Sequence, residues 1–293
     1  MFTAAISHAQ QDAQFTQYMY NTINVNPAYA GSRGAMSIFG LHRTQWVGLD
    51  GAPVTNALSL NTPLNESNLG IGLSFINDRI GPTVENTVSA DVSYTIQATE
   101  NYKLSFGVKA TGNFFNVDAG KLNSDPTVVD KSLVNYSKFS PNIGAGVYLH
   151  SDKSYIGISV PNFVETNRYN DDEYAIFKER INYYLIAGHV FDLNSDIKFK
   201  PALLTKVVEG APLQVDVSAN FMFLEKFVVG AAYRWDAAVS ALAGFQVTDG
   251  LYIGYGYDMD TTNLKNYDYG SHEIFLRYEL FNNINKIISP RFF

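Results

Sequence analysis

Two stretches near the C-terminus hold the residue types from which chemistry could be built. In "GSHE", residues 270–273, a serine, a histidine and a carboxylate stand side by side, the set with which a hydrolase draws a proton from its nucleophile. Adjacent residues of an extended chain point to opposite faces, so Ser271, His272 and Glu273 cannot form that relay among themselves. A turn or wall role is expected. In "DMDTTNLKNYDYG", residues 258–270, Asp258 and Asp260 have the spacing of a calcium loop. Its sixth position, however, is Asn263 instead of glycine and its twelfth is Tyr269 instead of glutamate. It reads as a polar extracellular loop. The histidines at 8, 42, 150, 189 and 272 show no paired ligand spacing and the chain has no cysteine, so neither a metal nor a cofactor is expected.

What must position these residues is a repeated alternation. In "LYIGYGYDMD", residues 251–260, Leu251, Ile253, Tyr255 and Tyr257 share one side of an extended chain and Tyr252, Gly254, Gly256 and Asp258 the other. "NTVSADVSYTIQ" sets Val88, Ala90, Val92, Tyr94 and Ile96 against Thr87, Ser89, Asp91, Ser93 and Thr95. Counting such segments predicts strands over 34–47, 52–60, 68–76, 84–96, 102–116, 141–150, 154–161, 180–191, 197–207, 212–222, 227–235, 239–247, 251–257 and 271–281. The first is irregular, because Phe39 and Leu41 share a parity with Ser37 and Arg43, and His189 also sits on the apolar parity of its strand.

Most of these segments are near the 9–11 residues that a tilted strand needs to cross a bilayer. No run approaches the ~18–20 apolar residues of a membrane helix. Charged residues are only 17% of the chain while Tyr and Phe number 19 and 20, and Asp91, Lys103, Lys109, Asp216, Arg234, Asp236, Glu273 and Arg277 all take the non-aromatic parity. The expectation is an all-β, transmembrane, antiparallel up-and-down β-barrel of about 14 strands, of outer-membrane type, over residues 34–281. A soluble antiparallel sandwich is the alternative. The three longest connections all follow odd-numbered strands, which puts both termini in the periplasm. The net charge of −7 speaks against a nucleic-acid partner.

Residues 1–9 read as the remainder of a signal peptide, with Ser7 and Ala9 at a small-x-small cleavage site. Residues 10–33, rich in tyrosine and without alternation, are expected to plug the lumen or sit at its rim, and 282–293 to form a periplasmic tail. The pairs Gly70 with Gly72, Gly144 with Gly146 and Gly254 with Gly256 lack the third glycine and helix of a dinucleotide site. They are expected to make room on the inner face.

Several pieces resemble the PorP/SprF-like outer-membrane proteins of Bacteroidetes type IX secretion and gliding motility: "QFTQYMYNTINVNPAYAG", "RTQWVGLDGAP", "NDRIGP", "YIGISVPNF", "GYGYDMDTTNLKNYDYGSHEIFLRYE" and the terminal "SPRFF". The plug and motif positions they carry are Phe15, Tyr18, Tyr20, Asn26, Pro27, Tyr29, Arg43, Gln45, Trp46, Asp78 and Pro82. Ser289, Pro290, Arg291, Phe292 and Phe293 make a C-terminal motif. The resemblance implies no enzyme, but an adaptor or anchor that assists protein secretion and surface attachment of large adhesins through their C-terminal secretion domain. Its implied partners are that adhesin, translocon or motor components, and outer-membrane lipid. Tyr169, Asp171, Asp172, Tyr174, Asp258, Asp260, Tyr267 and Tyr269 are the candidate partner contacts. The alternative function is a channel or transporter for a small solute.

Overall fold

Consecutive alternating segments pair antiparallel, each with the next in the chain. The structure, a computed structural model, describes residues 15–64, 67–122, 135–166 and 180–280. Its strands are β1 (Met36–Thr44), β2 (Val54–Pro63), β3 (Leu69–Ile80), β4 (Thr83–Gln97), β5 (Lys103–Val117), β6 (Tyr136–His150), β7 (Ser154–Val160), β8 (Asn182–His189), β9 (Phe191–Asp192), β10 (Ile197–Val208), β11 (Gln214–Phe223), β12 (Phe227–Arg234), β13 (Ala238–Gln246), β14 (Leu251–Asp260) and β15 (Ser271–Leu280). The two-residue β9 resumes β8 past Val190, so the wall has 14 strands. β10 pairs with β11, and β1 pairs with β15 from Met36 opposite Leu280 to Thr44 opposite His272. The sheet is therefore closed. Closure satisfies the backbone groups that edge strands would leave bare, a requirement inside a bilayer. Among the described residues no helix is long and apolar enough to cross a membrane.

The pleat sorts the side chains as alternation requires. On β4, Val92 is 46% exposed while its neighbour Asp91 is 1%. On β14, Tyr255 faces outward and Tyr252 is buried within. β1 keeps the pleat but mixes polarity on its inward face, where Ser37, Phe39, Leu41 and Arg43 are all buried. The inside of this barrel is a mixed apolar and ionic core, so an inward side chain need not be polar.

Some strands run further than the alternation predicts, β3 to Ile80, β6 from Tyr136 and β14 to Asp260. Thr44, Ile80, Val117, Val160 and Asp260, where β1, β3, β5, β7 and β14 finish, share one end of the barrel, the loop end. The chain enters β1 and leaves β15 at the other, the turn end.

Candidate functional site

Ahead of β1 the chain makes three short 3-10 turns, Tyr18–Tyr20, Thr22–Asn24 and Pro27–Tyr29. The last is specified locally. The Asn26 side chain accepts the Ala28 amide at 3.0 Å, and Pro27 has its φ preset at the first helical position. Residues from Thr16 to Ala30 are buried throughout, apart from the half-buried Asn24 and Val25. Thr16 lies near the loop end beside Asp258 and Glu273, and Arg33 near the turn end, ion-paired with Glu279. The segment thus runs lengthwise through the lumen.

An ionic cluster holds its beginning. Glu273 accepts the amides of Thr16 and Gln17 at 3.0 and 2.9 Å. Arg43 reaches Glu273 at 3.2 Å, Asp258 at 2.7 Å and the Thr16 hydroxyl at 2.8 Å. Charges removed this far from water persist only when paired and hydrogen-bonded, and here one guanidinium serves two carboxylates.

An aromatic stack holds the middle. The Tyr20 ring lies 4.7 Å from Phe275 and 5.4 Å from Tyr252, whose hydroxyls meet at 3.2 Å. Lys200 and Arg277 stand over the Tyr20 ring at 5.5 and 5.6 Å, in cation–π range.

Small wall residues hold the rest. A Cβ on Gly70 would collide with the Ala30 carbonyl, one on Gly72 with Ile23, one on Gly107 with Pro27 and Ala28, and one on Gly146 with Asn26. At Gly70 and Gly107 the segment's backbone lies directly on the wall, and at Gly72 and Gly146 its side chains do. Ser93 and Ser159 donate to the carbonyls of Ala30 and Val25, each at 2.7 Å, and Lys109 donates to that of Ile23 at 3.2 Å. Asn26 donates to the Val147 carbonyl at 3.0 Å.

Two cavities with no residue in common flank the segment. The one toward the loop end, about 130 Å³, is lined by Phe15, Asp78, Glu85 and Asn142. The one toward the turn end, about 380 Å³, is lined by Gly31, Gly70, Gln97 and His150.

The loop end is tied together by hydrogen bonds between its connections. Val47 donates to the Gly270 carbonyl and Tyr269 to the Val47 carbonyl, at 2.9 and 2.8 Å. The Trp46 amide reaches Ser271 Oγ at 3.2 Å, Gly81 donates to Gly51 at 2.9 Å, and Asp118 donates to Pro82 at 3.0 Å. The connections after β1, β3, β5 and β14 form one cap.

Phe15, Tyr18, Tyr20, Asn26, Pro27, Tyr29 and Arg43 come together inside the barrel. Gln45, Trp46 and Pro82 lie in the cap. Asp78 faces the lumen, accepting the Thr55 hydroxyl at 2.6 Å. Asp258 is not a surface contact: β14 continues past Tyr257, turning its carboxylate inward to Arg43. Asp260 is half-buried at the strand end, whereas Tyr267 and Tyr269 are 72% and 77% exposed. Tyr169, Asp171, Asp172, Tyr174 and Ser289, Pro290, Arg291, Phe292 and Phe293 lie outside the described residues, as do residues 1–9 and 282–293. Ser271 and Glu273 point inward while His272, bonded to the Tyr255 hydroxyl at 2.6 Å, points outward. Sequence reasoning missed Tyr252, Phe275 and Lys200 as partners of Tyr20, since alternation gives the face of a side chain but not what meets it across the lumen.

Residues 7–278 match the sequence profile of the family described as type IX secretion system membrane protein PorP/SprF. Among solved structures, a NanC porin aligns over 84% of this chain and 100% of its own, at 11% identity and a TM-score of 0.46. A KdgM porin aligns over 84% and 99%, at 8% identity and a TM-score of 0.40. The phosphoglycerate kinases 1 of Cricetulus griseus and Mus musculus are each 28% identical over 117 residues, 38% of this chain. The chain spans only 28% of those enzymes, so the match transfers no activity.

Proposed function

Because the chain belongs to the PorP/SprF family of type IX secretion system membrane proteins, we propose that it acts in the outer membrane by protein contacts, as an occluded adaptor. In this reading the loop end faces outside and both termini are periplasmic. The cap receives the C-terminal secretion domain of a large adhesin, with Asp260, Tyr267 and Tyr269 and the loop residues Tyr169, Asp171, Asp172 and Tyr174 as contacts. The turn end and the tail over 282–293 meet translocon or motor components.

The observation that carries the reading is the filled lumen. A segment seated on glycines and fixed by a buried ionic cluster occupies the path that a solute would take. Exposed aromatics on a hydrogen-bonded cap supply the contact type on which protein interfaces concentrate their binding energy.

The test is capture of a secretion domain by purified full-length protein and by a variant lacking 123–134 and 167–177, which leaves every wall strand whole. The variant should lose capture while remaining a heat-modifiable barrel. Undiminished capture overturns the docking.

A further inference from the structure

The outward face carries a polar patch that neither the plug nor the cap uses. His42, Asn56, Asn77 and Asn86 are direct cross-strand partners in turn, on β1, β2, β3 and β4. All four have the outward parity, and each side chain is exposed or half-buried. His42 Nδ1 meets Asn56 Oδ1 at 2.8 Å, its Nε2 meets the Thr44 hydroxyl at 3.2 Å, and Asn77 donates to Asn86 at 2.8 Å. Two residues beyond Asn77 toward the loop end, Arg79 is exposed on the same face. Among the described residues it has no ion-pair partner.

The boundaries of the patch are sharp. The next row toward the turn end is Gly40, Leu58, Phe75 and Val88, without a polar atom in its side chains. Along the row, His42 is followed on β15 by Ile274, and Asn86 on β5 by Phe114. The charge is one-sided as well. The acids of β1 to β4, Asp78, Glu85 and Asp91, all take the opposite, inward parity, so a cation and amide donors face outward with no carboxylate among them.

In a bilayer such a row belongs where hydrocarbon ends and headgroups begin. A guanidinium fork with neighbouring amide donors is the arrangement that binds phosphate, whereas an uncharged headgroup has no use for it. We propose that His42, Thr44, Asn56, Asn77, Arg79 and Asn86 form a binding site for the phosphate-bearing headgroup of a lipid in the leaflet next to the long loops. The site does not depend on whether the cap receives an exported protein.

Lipid retention by the full-length protein, measured by native mass spectrometry in detergent, tests it. The probes are bisphosphorylated lipid A, the same lipid with its phosphates removed, and inorganic phosphate. The phosphorylated lipid should be retained and the dephosphorylated one not, and millimolar inorganic phosphate should leave the lipid in place. Arg79→Gln should weaken retention about tenfold, the scale of one hydrogen bond to a charged group. Arg79→Lys, which keeps the charge, should recover part of it. Both variants change only an exposed side chain, so heat-modifiability should be intact. Equal retention of the two lipids, retention in Arg79→Gln that matches the unmodified protein, or displacement by inorganic phosphate overturns the proposal.

Discussion

Arg43 and Glu273 face each other in direct register across β1 and β15, the strands that close the barrel, and both also hold Thr16. Arg43→Met would leave Asp258 and Glu273 buried without their cation. Removing one partner of a buried pair costs about 3–5 kcal/mol. Urea unfolding in detergent should show a lower midpoint of that size. Adding Asp258→Asn and Glu273→Gln should restore most of it, because an uncharged set has no charge left to pair.

Deletion of residues 15–33 should convert a silent barrel into one that passes ions, read as steady conductance in a planar bilayer. Tyr20→Ala should open it only intermittently, since the glycine seat and the ionic cluster at Thr16 remain. Steady conductance from the unaltered protein would count against the occluded lumen.

The glycine seat predicts a position-dependent cost. Gly107→Ala would drive a methyl into the backbone of Pro27 and Ala28, which cannot move aside as a side-chain tip can. Overpacking of this kind costs about 1–3 kcal/mol. Limited proteolysis should then cut within 15–33. Gly40→Ala, where a Cβ meets nothing within 4 Å, should leave protection unchanged.

The turn between β11 and β12 can be improved. Leu224 and Glu225 have φ of 52° and 56°, and Lys226 closes the turn on Phe223 at 3.0 Å. Two consecutive left-handed residues are where Asn-Gly is preferred. Leu224→Asn with Glu225→Gly should raise stability by about 1 kcal/mol, the scale of one relieved left-handed residue. The unfolding midpoint measures it.

Where alternation was clean, as over Val88–Ile96 and Leu251–Tyr257, the wall and its two faces could be read from the residues alone, because a pleat has period two and its two sides met different surroundings. The burial of Phe39 and Leu41 and the packing partners of Tyr252 and Phe275 escaped that reading. Inward side chains find their partners far away in the chain: Tyr20 reaches Tyr252 across a separation of 232 residues and Thr16 reaches Glu273 across 257. No local window contains such a contact. Asp258 was assigned to a loop because its strand was ended at Tyr257, and the residues that complete its ionic cluster lie on β1 and in the N-terminal segment. The outward patch did leave a signal. His42, Asn56, Asn77 and Asn86 fall on the aliphatic parity of their strands, and following each alternation to its end would have exposed them.

The register of β1 against β15 also fixes an order of events. The residues that fill the lumen are synthesised before any strand, yet Glu273 and Phe275, to which they are fastened, belong to the last. The first-made segment must therefore wait, solvated or chaperoned, until the final strand arrives, and the same step that zips the cylinder shut locks its contents in place.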